Sequence, residues 1–139
     1  MEYTETVRTR ADASRTWQAL AAVTEYPQWT KSMTAVTGLD GPELALGHRF
    51  RISQPGFPAV VWRVCELREG ESFSWEARSP GLHTVASHSI AAKPDGGTQI
   101  TLVLRQTGAL SGLMGLLTGK RTRRYIALEA AGLRAAAES

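Results

Sequence analysis

The sequence predicts an α+β domain, with an antiparallel sheet of about seven strands covered on one face by a long C-terminal helix. Three observations carry this. Most segments between Tyr3 and Gln106 alternate apolar and polar residues, the period of a strand with one wet and one covered face. Turn residues separate them at Asp40-Gly41-Pro42, Pro55-Gly56-Phe57-Pro58, Arg68-Glu69-Gly70-Glu71, Ser79-Pro80-Gly81 and Asp95-Gly96-Gly97. Only Ala109 to Ser139 holds a helical apolar spacing long enough for one long helix.

The first strand follows from Tyr3, Glu5, Val7 and Thr9 alternating with Thr4, Thr6, Arg8 and Arg10. Asp12 is placed to cap a short helix whose inward face is Trp17, Leu20 and Ala21. A second short helical turn follows at Thr24-Glu25-Tyr26-Pro27-Gln28-Trp29, with Trp29 as an apolar anchor. Strands are then expected at Met33–Leu39, Gly47–Gln54, Val60–Leu67, Ser72–Arg78, Leu82–Lys93 and Thr98–Gln106. Phe50 and Ile52 face inward, as do Phe73 and Trp75, His88 and Ile90, and Ile100, Leu102 and Leu104. The facing of Val60–Leu67 stays open, because Trp62 with Val64 and Val61 with Cys65 and Leu67 make equally apolar sides.

The terminal helix, at roughly 25 residues, runs about 38 Å. Its expected buried stripe is Leu110, Met114, Leu117, Arg121, Arg124, Leu128, Ala131 and Ala135, with Leu113, Tyr125 and Gly132 alongside. Two arginines therefore fall where leucine is expected. Gly112, Gly115 and Gly119 weaken the first turns, each by about 1 kcal/mol relative to alanine.

A length of 139 residues suits one domain, and 42% hydrophobic with 21% charged residues is ordinary for a globular chain. Cys65 has no partner for an internal disulfide, and with His48, His83 and His88 it forms no zinc spacing, so no metal or cofactor is expected. The charged N-terminus is unlike a signal peptide and no apolar run reaches membrane-spanning length, which makes cytoplasmic residence the default expectation and stable membrane insertion an unexpected one. The net charge of +3 is concentrated in Lys120-Arg121-Thr122-Arg123-Arg124. That cluster lacks an interleaved aromatic platform, so nucleic acid is not an expected partner.

Six segments follow one another along the chain: Ala11-Asp12-Ala13-Ser14-Arg15-Thr16-Trp17-Gln18-Ala19-Leu20, Tyr26-Pro27-Gln28-Trp29, Trp62-Arg63-Val64-Cys65-Glu66, His88-Ser89-Ile90, Asp95-Gly96-Gly97-Thr98-Gln99-Ile100-Thr101 and Leu128-Glu129-Ala130-Ala131-Gly132-Leu133-Arg134. In these segments and in the order of its elements the chain resembles the START-like, helix-grip superfamily (SRPBCC), in its polyketide cyclase/dehydrase and lipid-transport branch. Ala13 stands where such proteins usually have proline, and Thr24 where they often have aspartate. The resemblance implies a curved sheet gripping the terminal helix around a cavity for a lipid, polyketide or other apolar molecule. It implies no single reaction, since fold does not fix function.

The candidate ligand-binding set is Trp29, Phe50, Ile52, Trp62, Phe73, Trp75, His88, Ile90, Leu102, Leu104, Met114, Leu117, Arg121 and Tyr125. His88 shares the face of Ile90 and reads either as a group that orients a ligand or moves a proton, or as a satisfied core histidine. His83, at odd spacing, points away from it. Arg121 on an apolar stripe requires an internal carboxylate, Glu66 being one option, or an open cavity end, or the acidic head of a ligand. The aromatic residues serve a core or a cavity wall equally well.

Three functions follow. The first is a non-catalytic binding or carrier domain for a small, largely apolar molecule, acting as a monomer or weak homodimer. The second is an enzyme of the cyclase/dehydratase or hydrolase kind using His88 and Arg121. The third is a module that lays the basic helix on an anionic membrane or RNA surface. No nucleophile with an adjacent base, and no phosphate-binding glycine loop, appears in the sequence.

Overall fold

The computed structural model describes residues 1–139. The strands are β1 (Glu2–Thr9), β2 (Ala35–Gly38), β3 (Arg49–Ser53), β4 (Val60–Arg68), β5 (Ser72–Ser79), β6 (Leu82–Ala92) and β7 (Thr98–Thr107). Between β1 and β2 lie helix α1 (Ala13–Ala21) and a 3-10 helix (Val23–Gln28), and helix α2 (Ser111–Glu138) closes the chain. The sheet order is β1-β7-β6-β5-β4-β3-β2, and every pair is antiparallel. A seven-stranded antiparallel sheet curved around a long C-terminal helix is the helix-grip fold.

Local chemistry explains the joints. Asp12 accepts from the Arg15 amide and starts α1, while Trp17 and Leu20 turn that helix's apolar side inward. Register pairs such as Phe50 with Trp62, Phe73 with His88, and Leu102 with His88 put the large side chains of neighbouring strands on one concave face. The expected Met33–Leu39 strand is shorter, Ala35–Gly38, and just past it Asp40 accepts from the amide and guanidinium of Arg49 at 2.8–3.0 Å.

The undecided facing of β4 is resolved by an irregularity in its pairing between Val64 and Glu66. An extra residue there reverses the alternation. Val64 is buried on the concave side, and Leu67, beyond the bulge, also packs on the core. Glu66 is exposed and is no internal partner for Arg121.

The core joins Tyr3, Trp17, Leu20, Val23, Tyr26, Phe50, Ile52, Val64, Phe73, Trp75, Ile100 and Leu102 to Ile126, Ala130 and Leu133 of α2. The C-terminal half of α2 is fixed: Glu138 accepts from Thr9 Oγ1 at 2.8 Å and from the Arg10 amide at 3.0 Å. Trp29 seats against it where Gly132 lets the backbones meet, since a Cβ on Gly132 falls 2.3 Å from the Trp29 carbonyl oxygen. The N-terminal half has less support. Leu110 at its N-cap position gives no side-chain cap, and the half lies over an open cavity.

Candidate functional site in the cavity under the long helix

A cavity of about 500 Å³ lies between the concave sheet face and the N-terminal half of α2. This is within the ordinary range for a small-molecule site. Its wall is mainly apolar: Ile52, Trp62, Trp75, Leu102, Leu104, Met114, Tyr125 and Ile126 all line it. Its mouth opens between the β3–β4 loop, the β5–β6 turn and the first turns of α2, which contribute Phe57 and Pro58, Ser79 and Leu82, and Met114 and Thr118.

The candidate set divides. Ile52, Trp62, Trp75, His88, Leu102, Leu104, Met114 and Tyr125 line the cavity. Phe50 and Phe73 do not; both are fully buried behind it and pack on Trp75 at ring distances of 5.9 and 5.2 Å. Trp29 packs on Tyr26 at 4.6 Å, and Ile90 packs against the core further along β6.

Leu117 and Arg121 correct the expectation for α2. Both are exposed, as is Arg124, because the helix is rotated by about one residue from the expected phase. The inward line is Met114, Thr118, Thr122, Tyr125 with Ile126, Glu129, Leu133 and Ala137. Arg121 sits at the rim, where its Nη1 donates to the Gly56 carbonyl at 3.0 Å and its guanidinium lies 5.4 Å from the Phe57 ring. Tyr125 donates its hydroxyl to the Pro55 carbonyl at 2.5 Å. Together they strap the β3–β4 loop to the helix. Gly56 has φ +82°, a conformation natural to glycine, and a Cβ there would fall 2.6 Å from the Arg121 guanidinium.

The charged residue that does occupy the inward line is Glu129. Its side chain is 13% exposed, and its Oε1 lies 3.3 Å from Nε2 of His88. His88 is itself 3% exposed, stacked on Phe73 at 4.1 Å and edge-on to Trp75 at 5.5 Å. Its other nitrogen lies 3.4 Å from the Phe73 carbonyl oxygen. Both ring nitrogens thus face oxygen acceptors, while a neutral imidazole has one N–H to offer. Glu129 Oε1 has no partner in hydrogen-bonding geometry despite its burial. Gln106 Oε1, elsewhere on the lining, is likewise buried without a partner.

The neighbourhood shows the same electrostatic character. Burial pushes the Tyr26 phenol well above its usual pKa, and the Glu129 charge adds to the rise. The Tyr26 hydroxyl donates a hydrogen bond to the Leu20 carbonyl. His83 stays on the outer sheet face, where its Nε2 meets Glu76 at 2.9 Å. No group of three His, Cys, Asp or Glu side chains is arranged to hold a metal ion.

The model of the family described as polyketide cyclase / dehydrase and lipid transport matches residues 1–138. The chain belongs to this family. As a member of the polyketide cyclase/dehydrase and lipid transport family, within the START-like superfamily, it shares its fold with proteins of very different sequence. A hypothetical protein from Helicobacter pylori superposes with a TM-score of 0.81 at 16% identity, covering 97% of this chain and 86% of that one. The Zhui aromatase/cyclase from a Streptomyces species gives 0.79 at 16% identity, covering 99% and 93%. A protein from Thermus thermophilus gives 0.78 at 13% identity, covering 99% and 97%. At such identities the likeness shows the fold alone. No curated protein matches the sequence. No helix is long and apolar enough to cross a membrane.

Proposed function

We propose that this family member binds and carries a small, largely apolar molecule whose one polar end is a hydrogen-bond donor, such as a phenol or an alcohol. The observation that carries this reading is the unpartnered Glu129 Oε1 inside an apolar cavity. A buried acceptor without a donor costs about 1–3 kcal/mol, and a ligand O–H there would recover that loss. An acidic head group, expected near Arg121, fits poorly. The arginine is outside on the rim, and Glu129 would repel a carboxylate.

Trp62 and Trp75 line the cavity, so their fluorescence reports occupancy. Titration with 2-naphthol and with naphthalene-2-carboxylate tests the reading. The phenol is expected to bind at least tenfold tighter, and Glu129→Gln to narrow that gap. Tighter binding of the carboxylate, or no binding of either, would end the proposal.

The same pair supports a second reading, an enzyme of the cyclase/dehydratase kind. A histidine beside a carboxylate is a proton-transfer unit, and one structural neighbour is an aromatase/cyclase. Here the charged neighbour of His88 is Glu129, which would orient the imidazole and move its proton rather than hold an enolate as expected of Arg121. Turnover of aromatic polyketide mimics by the protein, abolished in His88→Ala with binding retained, would favour catalysis over carriage.

A further inference from the structure

We infer that the N-terminal half of α2 docks on an anionic phospholipid surface, with the cavity mouth turned toward the bilayer. The inference rests on the carrier reading for its purpose but not for its evidence, which lies on the outer face of the helix. Leu113, Leu116 and Leu117 are 53%, 82% and 70% exposed, and Leu110 is 46% exposed. The helix phase that turns Thr118, Thr122 and Glu129 inward turns these leucines out. Leu113, Leu116, Leu117, Lys120 and Arg124 recur at three- and four-residue spacing, so leucines and cations share one outward side.

The placement is at the mouth. Met114 and Thr118, between the exposed leucines, line the cavity, and Leu110 packs on Gly81 of the β5–β6 turn. Met1, also exposed, lies against Gly115. The three segments that frame the opening, residues 54–59, 79–82 and 108–128, contain no aspartate or glutamate, whereas Lys120, Arg121, Arg123 and Arg124 follow the leucines within two turns. Exposed leucines beside a cationic turn match the boundary between acyl chains and anionic headgroups: the apolar side chains enter and the cations meet phosphate. A small soluble anion would satisfy the cations but not the leucines. A second copy would satisfy the leucines but bring like charges together. A free polyanion such as RNA leaves the apolar patch unused.

Co-sedimentation with phosphatidylcholine vesicles, with and without a third of phosphatidylglycerol, tests this at low and at 0.5 M salt. The protein is expected to bind the anionic vesicles at least tenfold tighter than the neutral ones and to lose most of that preference at high salt. Lys120→Gln with Arg124→Gln should weaken binding about thirtyfold. Leu113→Asp with Leu116→Asp should abolish it, while 2-naphthol still quenches tryptophan normally. Absence of binding to anionic vesicles, equal binding to both kinds, or indifference to the leucine changes would each overturn the inference. So would a dimer in sedimentation velocity that the leucine changes dissociate. Failure of naphthol to bind alongside normal vesicle binding would strike the carrier reading alone.

Discussion

Nε2 of His88 lies 3.3 Å from Oε1 of Glu129, near enough for a charge contact but without hydrogen-bonding geometry at that oxygen. A carboxylate held in an apolar cavity beside an imidazole is costly to the fold, and removing it should be informative. Glu129→Met keeps the side-chain volume and removes the buried charge. It is expected to raise stability by about 1–2 kcal/mol, seen as a rise in Tm of about 3–6 °C for a domain of this size. The same change should weaken 2-naphthol binding. A fall in Tm would mean that the carboxylate is a net stabiliser, and the trade between stability and binding would be wrong.

The reach of the sequence is visible in the same helix. Alternation along β3, β5, β6 and β7 correctly places Phe50, Trp75, His88 and Leu102 on the concave face, because a two-residue period allows only two choices. The turns at Pro55–Pro58 and Asp95–Gly97 bound the strands as expected. Helix α2 misleads for a physical reason. Its inward positions face a cavity and are filled by Thr118, Thr122 and Glu129, while its outward face carries Leu113, Leu116 and Leu117. A search for the most apolar stripe therefore selects the wrong side and puts Arg121 inside. The signal that could have found the right phase is the run of Thr118, Thr122, Ile126, Leu133 and Ala137, which shares a side with Gly115 and Gly119. On β4, the bulge that reverses the facing at Val64 has no proline or glycine to mark it.

Two glycines of α2 should respond to alanine with opposite sign. Gly112 has open space around it, so Gly112→Ala should stabilise by about 0.5–1 kcal/mol through helix propensity alone. A Cβ on Gly132 would fall 2.3 Å from the Trp29 carbonyl oxygen, so a methyl there cannot be accepted without moving backbone. Overpacking of about 1–3 kcal/mol then exceeds the propensity gain, so Gly132→Ala should be destabilised by about 1–2 kcal/mol. Urea midpoints of the two variants settle this, and equal shifts would contradict the contact.

Acid should loosen the outer face of the sheet before the core. The Arg49 side chain beside Asp40 holds its carboxyl at about 2, below its usual 3.8. A hydrogen bond from His83, followed by one from Arg63, lowers Glu76 as well. For a carboxyl whose folded value is depressed, the stabilisation is complete above its unfolded pKa and is lost as pH falls through the folded one. Stability should therefore decline from about pH 5 toward pH 2. Glu76→Gln and Asp40→Asn should be less stable than the parent at pH 7 and converge with it near pH 2. Urea midpoints across that range check this, and parallel curves for all three proteins would refute it.

The strap over the cavity mouth should control exchange rather than affinity for the fold. Arg121 and Tyr125 bond consecutive carbonyls, those of Gly56 and Pro55, and the guanidinium lies on Phe57. The Arg121 bond is exposed, so its loss should cost no more than about 1 kcal/mol of global stability. The loop between β3 and β4 has few other ties: within it, the Phe57 amide reaches back only to the Gln54 carbonyl. Arg121→Ala combined with Tyr125→Phe should therefore speed amide exchange at residues 54–59 while leaving β6 and β7 protected. Because Phe57 and Pro58 form part of the mouth, 2-naphthol should also leave faster from the double variant, by stopped-flow tryptophan fluorescence. Faster loop exchange without faster release would show that the ligand passes elsewhere, between the β5–β6 turn and the leucine-rich end of α2.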